Sequence, residues 1–68
     1  MKTYDQFSMP FARELAIKKK VEEIGGMLLN RTITVSGAFI RLSWAKYWIN
    51  TAFDDEIVDY LNDETANN

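Results

Sequence analysis

Apolar residues recur at helical spacing in two stretches of the chain and alternate with polar ones in a third. Ile17, Val21, Ile24 and Leu28 stand four, three and four apart, which places them on one helical stripe. Phe11 and Leu15 form a second pair to one side. Ser8 is a candidate N-cap, and Pro10 falls in the first turn, where a missing N–H costs little. The pattern predicts a helix over Phe11 to Ile24, stopped at Gly25-Gly26, because glycine accepts the left-handed conformation that ends helices. Near the other end Phe53, Ile57 and Leu61 repeat every four residues, with Val58 and Tyr60 beside them. This predicts a last helix with Thr51 as its cap and Asp54 answering it in capping-box style. Asp54, Asp55 and Glu56 then sit in the first turn, where the helix dipole favours anions.

The middle of the chain carries the alternating signal. Arg31-Thr32-Ile33-Thr34-Val35 is β-branched and alternates, and Ser36-Gly37 follows it, ahead of Ala38-Phe39-Ile40-Arg41-Leu42-Ser43-Trp44. A two-residue turn at Ser36-Gly37 pairs Val35 with Ala38, Ile33 with Ile40, Arg31 with Leu42 and Leu29 with Trp44. Those pairs make a nearly all-apolar face. The other face pairs Thr34 with Phe39, Thr32 with Arg41 and Asn30 with Ser43. A competing reading has Ser36 capping a helix from Gly37 to Asn50, supported by the helical spacing of Ser43, Lys46 and Asn50. Ala45 to Asn50 reads as a third strand or a helical turn. The clean register favours the hairpin. The expected fold class is therefore α+β: helix, β-hairpin with a short third element, helix, with both helices on one face of the sheet. One small domain over 1–68 is expected, with 1–7 and 65–68 poorly ordered.

Composition narrows the chemistry. The chain has 68 residues, no cysteine and no histidine. That excludes disulfides, thiol nucleophiles, Ser-His-Asp triads and thiolate or imidazole metal sites. Ser43-Trp44-Ala45-Lys46 fits the S-x-x-K pattern of penicillin-recognising serine enzymes, but the S-D-N and K-T-G partners are missing. No catalytic residue, cofactor or metal is assigned, and the chain is not expected to be an enzyme. A domain this short buries only ~60% of its unfolded surface, so its stability is marginal. The nine aromatic residues must fill a core, or the chain must self-associate into a homodimer. Met1-Lys2 is followed by polar residues rather than an apolar leader, and Gly37 to Phe53 is too short and too charged to span a bilayer. The expected compartment is the cytoplasm.

Charge is divided unevenly. Residues 1–53 hold all eight basic residues and four acids, whereas residues 54–68 hold six acids and no base. Asp55, Asp59 and Asp63 form a carboxylate stripe on the last helix. Like charges at that spacing cost ~0.2–0.5 kcal/mol per pair, so the stripe is a solvated face, an imitation of phosphate spacing that occupies a nucleic-acid-binding groove, or a surface that docks on a basic partner without such mimicry. Phe39, Arg41, Tyr47 and Trp48 are candidate contact residues, because aromatics and arginine are enriched at binding hot spots. The reading of function is a small non-catalytic protein-binding module that blocks a larger partner by steric or acidic-surface docking. It has the general character of phage accessory proteins that inhibit a host enzyme or defence system. The alternative is nucleic-acid binding through Lys18, Lys19, Lys20, Arg31, Arg41 and Lys46, against which stands the overall acidity, pI about 4.9. A membrane-peripheral role for the aromatics between Phe39 and Phe53 is a third class.

Overall fold

The computed structural model describes residues 8–63, so the order expected of 1–7 and 65–68 falls outside the described residues. Three helices follow one another: α1 (Met9–Leu29), α2 (Val35–Thr51) and α3 (Asp54–Asn62). Among the described residues there is no strand. The α+β expectation is therefore corrected to an all-α fold, and the hairpin and its third strand are replaced by one 17-residue helix.

Local chemistry at two helix ends explains the difference. Ser8 caps α1 as expected, its Oγ accepting from the Phe11 N–H at 3.4 Å. Gly25-Gly26, however, does not stop α1. Neither glycine has positive φ, and the helix runs on to Leu29. The left-handed residue is Arg31, φ 59°. Its N–H donates to the Leu28 carbonyl at 3.0 Å, and the Thr32 N–H donates to the Met27 carbonyl at 2.9 Å. Those two bonds form a Schellman closure. After Ile33 the chain re-enters a helix, with Thr34 as its cap. The Thr34 Oγ1 accepts from the Gly37 N–H at 3.0 Å. The β-branched run read as a strand is thus a helix end, a loop and an N-cap. Ser36-Gly37 is the first turn of α2 rather than a reversal. The competing helical reading placed the cap at Ser36, two residues late.

α1 and α2 pack antiparallel, because α1's first turns meet the end of α2 while Ile24 and Leu28 share a cleft with Val35, Ala38 and Leu42. α3 runs back along α1. Ala12, Ala16, Ile49, Ile57 and Leu61 form the core where all three helices meet. Ile24 and Ala38 are buried at the other end, where only α1 and α2 face each other. Small residues on α1 (Ala12, Ala16) let Ile49 and Ile57 approach closely, and these are the only large side chains fully buried among the described residues.

Arg13 ties the three helices together. Its Nη1 donates to the Ile49 carbonyl, and its Nη2 donates to the Ala52 carbonyl at 3.0 Å and to Asp54 Oδ1 at 2.8 Å. One guanidinium thus closes the C-terminal end of α2, where carbonyls lack helical partners, and holds the first residue of α3. Thr51 does not cap α3 as expected. It is the last residue of α2, and its Oγ1 donates back to the Tyr47 carbonyl at 2.8 Å. The α3 cap position is Phe53, which has no side-chain cap bond and is 75% exposed.

Two stability changes follow. Arg31→Gly removes the steric cost of a side chain in the left-handed region and raises unfolding free energy by about 1 kcal/mol. Arg13→Met keeps the aliphatic stem but strands the carbonyls of Ile49 and Ala52, lowering stability by about 2 kcal/mol. Urea denaturation followed by circular dichroism measures both; an unchanged midpoint in either variant contradicts the corresponding contact.

Candidate functional site: the uncovered face of the second helix

α2 is apolar on more than one side. Ala38, Leu42, Ala45 and Ile49 turn toward α1; Ala38 and Ile49 are buried, and Leu42 and Ala45 are half-buried. Gly37, Ile40, Trp44, Tyr47 and Thr51 are spaced three, four, three and four apart. At ~100° per residue these five fall within ~80° of each other and roughly 150° round the helix from the buried set. Ile40 is 61% exposed, Trp44 67% and Tyr47 64%. A helix that is apolar all round normally lies in a core. Here α1 takes one side and α3 lies against α1, so the second stripe of α2 is uncovered. Trp44 and Tyr47 stand edge to face, ring centroids 6.2 Å apart. They present a joined aromatic surface carrying no charged residue.

Two open clefts lie between α1 and α2: one reaches this face through Gly37, Ile40 and Trp44, and the other lies on the far side of α2. Lys20, Ile24, Met27, Arg41, Trp44 and Trp48 line the larger, about 600 Å³. Val21, Leu28, Val35, Phe39 and Leu42 contribute to the smaller, about 220 Å³, which is almost entirely apolar.

The sequence-derived contact residues scatter around this surface. Phe39 is exposed, and so is Arg41, but as helical residues two apart they lie on opposite flanks of α2 and line different clefts. Tyr47 is on the uncovered stripe. Trp48 is partly covered by the Tyr60 ring, edge to face at 5.7 Å. The residues assigned to the inside of the hairpin are mostly outside: Ile40 and Trp44 as above, and Leu29 at 86% exposure. Ile33 is half-buried. Ile40 and Trp44 are the functional candidates missed. The signal that finds them is the three-four spacing from Gly37 to Thr51.

Asp55 and Asp59 are exposed on α3, and Asp63 follows its last turn. Asp55 and Asp59 share a face of α3 turned away from Ile57 and Leu61, and Asp59 and Asp63 line a shallow cleft with Trp48 of α2. Among the described residues no acidic group is arranged to hold a metal ion.

Of the basic residues proposed for nucleic acid, Lys20 and Arg41 line the same cleft, and the others are spread over α1, the turn after it and the far flank of α2. Lys18 is exposed. Lys19 Nζ donates to the Tyr60 carbonyl and lies 4.1 Å from the Tyr60 ring centroid. It also donates to the Asp63 carbonyl at 3.4 Å, so it closes the C-terminal end of α3. Lys20 pairs with Glu23 at 3.1 Å. Arg31 lies at the turn between α1 and α2, and Arg41 and Lys46 are exposed on opposite flanks of α2. Within the lysine run, Lys19 therefore holds the end of α3, Lys20 pairs within α1, and Lys18 faces solvent.

Tyr60 completes that contact. Its hydroxyl donates to Glu23 Oε2 at 3.0 Å. Burial, and then the bond to the Glu23 carboxylate and its charge, push the phenol well above the ordinary tyrosine range. A phenol whose folded pKa is raised contributes stability that is complete below pH ~10 and is lost as pH rises beyond it.

Comparison of the chain with protein-family models, with curated proteins and with solved structures gives no match. No described helix is long and apolar enough to cross a membrane.

Tyr60→Phe removes the bond to Glu23 and costs about 1 kcal/mol at neutral pH, less than a buried bond to a charged acceptor because water reaches the pair. The difference between wild type and Tyr60→Phe shrinks above pH 10. Chemical denaturation at pH 7 and pH 11 reads both values, and an equal difference at the two pH values contradicts the linkage.

Proposed function

We propose that the protein is a non-catalytic protein-interaction module that works through the uncovered face of α2. One observation carries this reading: Ile40, Trp44 and Tyr47 stand together, each more than 60% exposed, on a helix whose opposite side already packs on α1. Holding three large apolar side chains in water forgoes the burial each would gain, about 1.5–3 kcal/mol for a fully covered side chain. A contiguous apolar patch on a small protein marks an interaction surface. The chain also lacks His and Cys, the commonest general base and nucleophile of hydrolytic sites, which supports binding rather than catalysis.

The accessory-inhibitor reading is this same module with a larger protein as occupant, acting by covering part of that protein. The aromatic face supports it better than the acidic stripe does. Asp54 is engaged by Arg13, and Asp54, Asp55 and Glu56 lie where the α3 dipole favours anions, so much of the acidity of α3 has a role within the fold. Nucleic-acid binding is supported less, because Lys19 and Lys20 are engaged within the fold and Lys46 lies across α2 from Arg41.

Site-specific photocrosslinking in the producing cells tests the module. A benzoylphenylalanine in place of Trp44 should give a protein adduct on irradiation, and one in place of Asp55 should give none. Absence of any protein adduct from position 44, or equal adducts from both positions, contradicts the reading. The adduct's mass separates a larger protein from a second copy of the chain.

A further inference from the structure

We infer that the occupant of this face is a second copy of the chain, paired antiparallel through α2. The inference rests on the module reading above and names its partner. Three properties of the face point to self-pairing.

The first is its arrangement about Trp44. Gly37 stands seven residues before Trp44 and Thr51 seven after; Ile40 stands four before and Tyr47 three after. A two-fold axis passing beside α2 at the level of Trp44 sets the two Trp44 side chains against each other. It brings Ile40 of each copy opposite the Tyr47–Trp48 segment of the other, and Gly37 opposite Thr51 at both ends. Bulky residues meet at the centre, and small ones let the helices approach at the margins. The three-four spacing is that of a coiled-coil seam, and an isologous contact requires this kind of self-complementarity.

The second is charge. The five seam residues carry none, so closing the face on itself sets no like charges in direct opposition. Arg41 and Lys46, the charged residues of α2, lie on its flanks. In the same register Arg41 of one copy falls beside Tyr47 of the other, within reach of a cation–π contact. The antiparallel arrangement also opposes the two helix dipoles favourably.

The third is area. An aromatic side chain covers ~150–250 Å², so the exposed parts of Trp44, Tyr47 and Trp48, with Ile40, offer on the order of 500 Å² of apolar surface. A standard interface covers about 800 Å² per partner, some 65% of it apolar in homodimers, which is again on the order of 500 Å². One copy thus supplies what its twin needs. The same pairing supplies what the fold lacks, since α3 is too short to give α1 and α2 a full third layer.

Sedimentation equilibrium on the purified chain tests the pairing. The wild type is expected at about twice its 7.9 kDa mass at tens of micromolar, and its thermal midpoint should rise with protein concentration. Trp44→Glu is expected to sediment as a monomer, with a dissociation constant raised at least about thirtyfold, the effect of losing a central hot spot. Asp55→Lys should remain dimeric. A monomeric wild type with a concentration-independent midpoint overturns the pairing, as does a Trp44→Glu variant that dimerises like wild type. If Trp44→Glu loses helix content, Tyr47→Lys and the concentration dependence of the wild-type midpoint decide in its place. A monomeric wild type that still yields a crosslink from position 44 to a larger protein overturns the self-pairing alone and leaves the module reading standing.

Discussion

The length of α3 governs the rest of the molecule. Nine helical residues rise only ~14 Å, against ~32 Å for the 21 residues of α1. α3 is held along α1 by Arg13 at its start and by Lys19 and Glu23 near its end. It covers one end of the α1–α2 pair. Ala12, Ala16, Ile49, Ile57 and Leu61 are buried there, and the far end has two layers rather than three. Because α3 leans on α1, the outer side of α2 has no cover over its length. The buried core of a chain this small is too limited to leave that surface without consequence.

Charge layout and helix layout reinforce one another. The lysine run on α1 and the acidic α3 are the two halves of the chain's charge asymmetry, and the fold sets them side by side. Lys19 answers the carbonyl end of α3, Lys20 pairs with Glu23, Glu23 accepts from Tyr60, and Arg13 engages Asp54. These contacts use polar groups to position a helix whose buried apolar side chains are Ile57 and Leu61, with the Tyr60 ring packed beside them. Much of the conspicuous charge is thereby consumed inside the molecule. The conspicuous apolar residues of α2 are left for an outside surface.

The ends of the chain were readable because their patterns had one interpretation. Ser8 and Pro10 marked the start of α1, and the Ile57–Leu61 repeat marked the buried side of α3. The middle was misleading for physical reasons. Thr32, Ile33, Thr34 and Val35 are β-branched, and a cap followed by a first turn uses the same residues as a strand. Gly25-Gly26 resembles a helix stop but needs no left-handed backbone, whereas Arg31, which gives no such signal, adopts one. Above all, a helix with two apolar stripes has apolar residues at nearly every offset. Ala38, Ile40, Leu42 and Trp44 therefore alternate as a strand would, although in the helix they belong to two different faces. Phe39 and Arg41 are exposed because they lie on the flanks of a helix, and Ile40 and Trp44, which a hairpin would turn to its apolar face, are exposed on the outer stripe.

Single-cysteine scanning along α2 tests the account most directly, since the chain has no native cysteine to interfere. Maleimide labelling rates, taken in solution dilute enough to dissociate a dimer, should be slow at positions 38, 42, 45 and 49 and fast at 40, 44 and 47. A helical period with its fast phase centred on Trp44 is the predicted result. Slow labelling at 38, 40, 42 and 44 with fast labelling at 39, 41 and 43 would contradict it, because that period of two belongs to a strand with Trp44 turned inward.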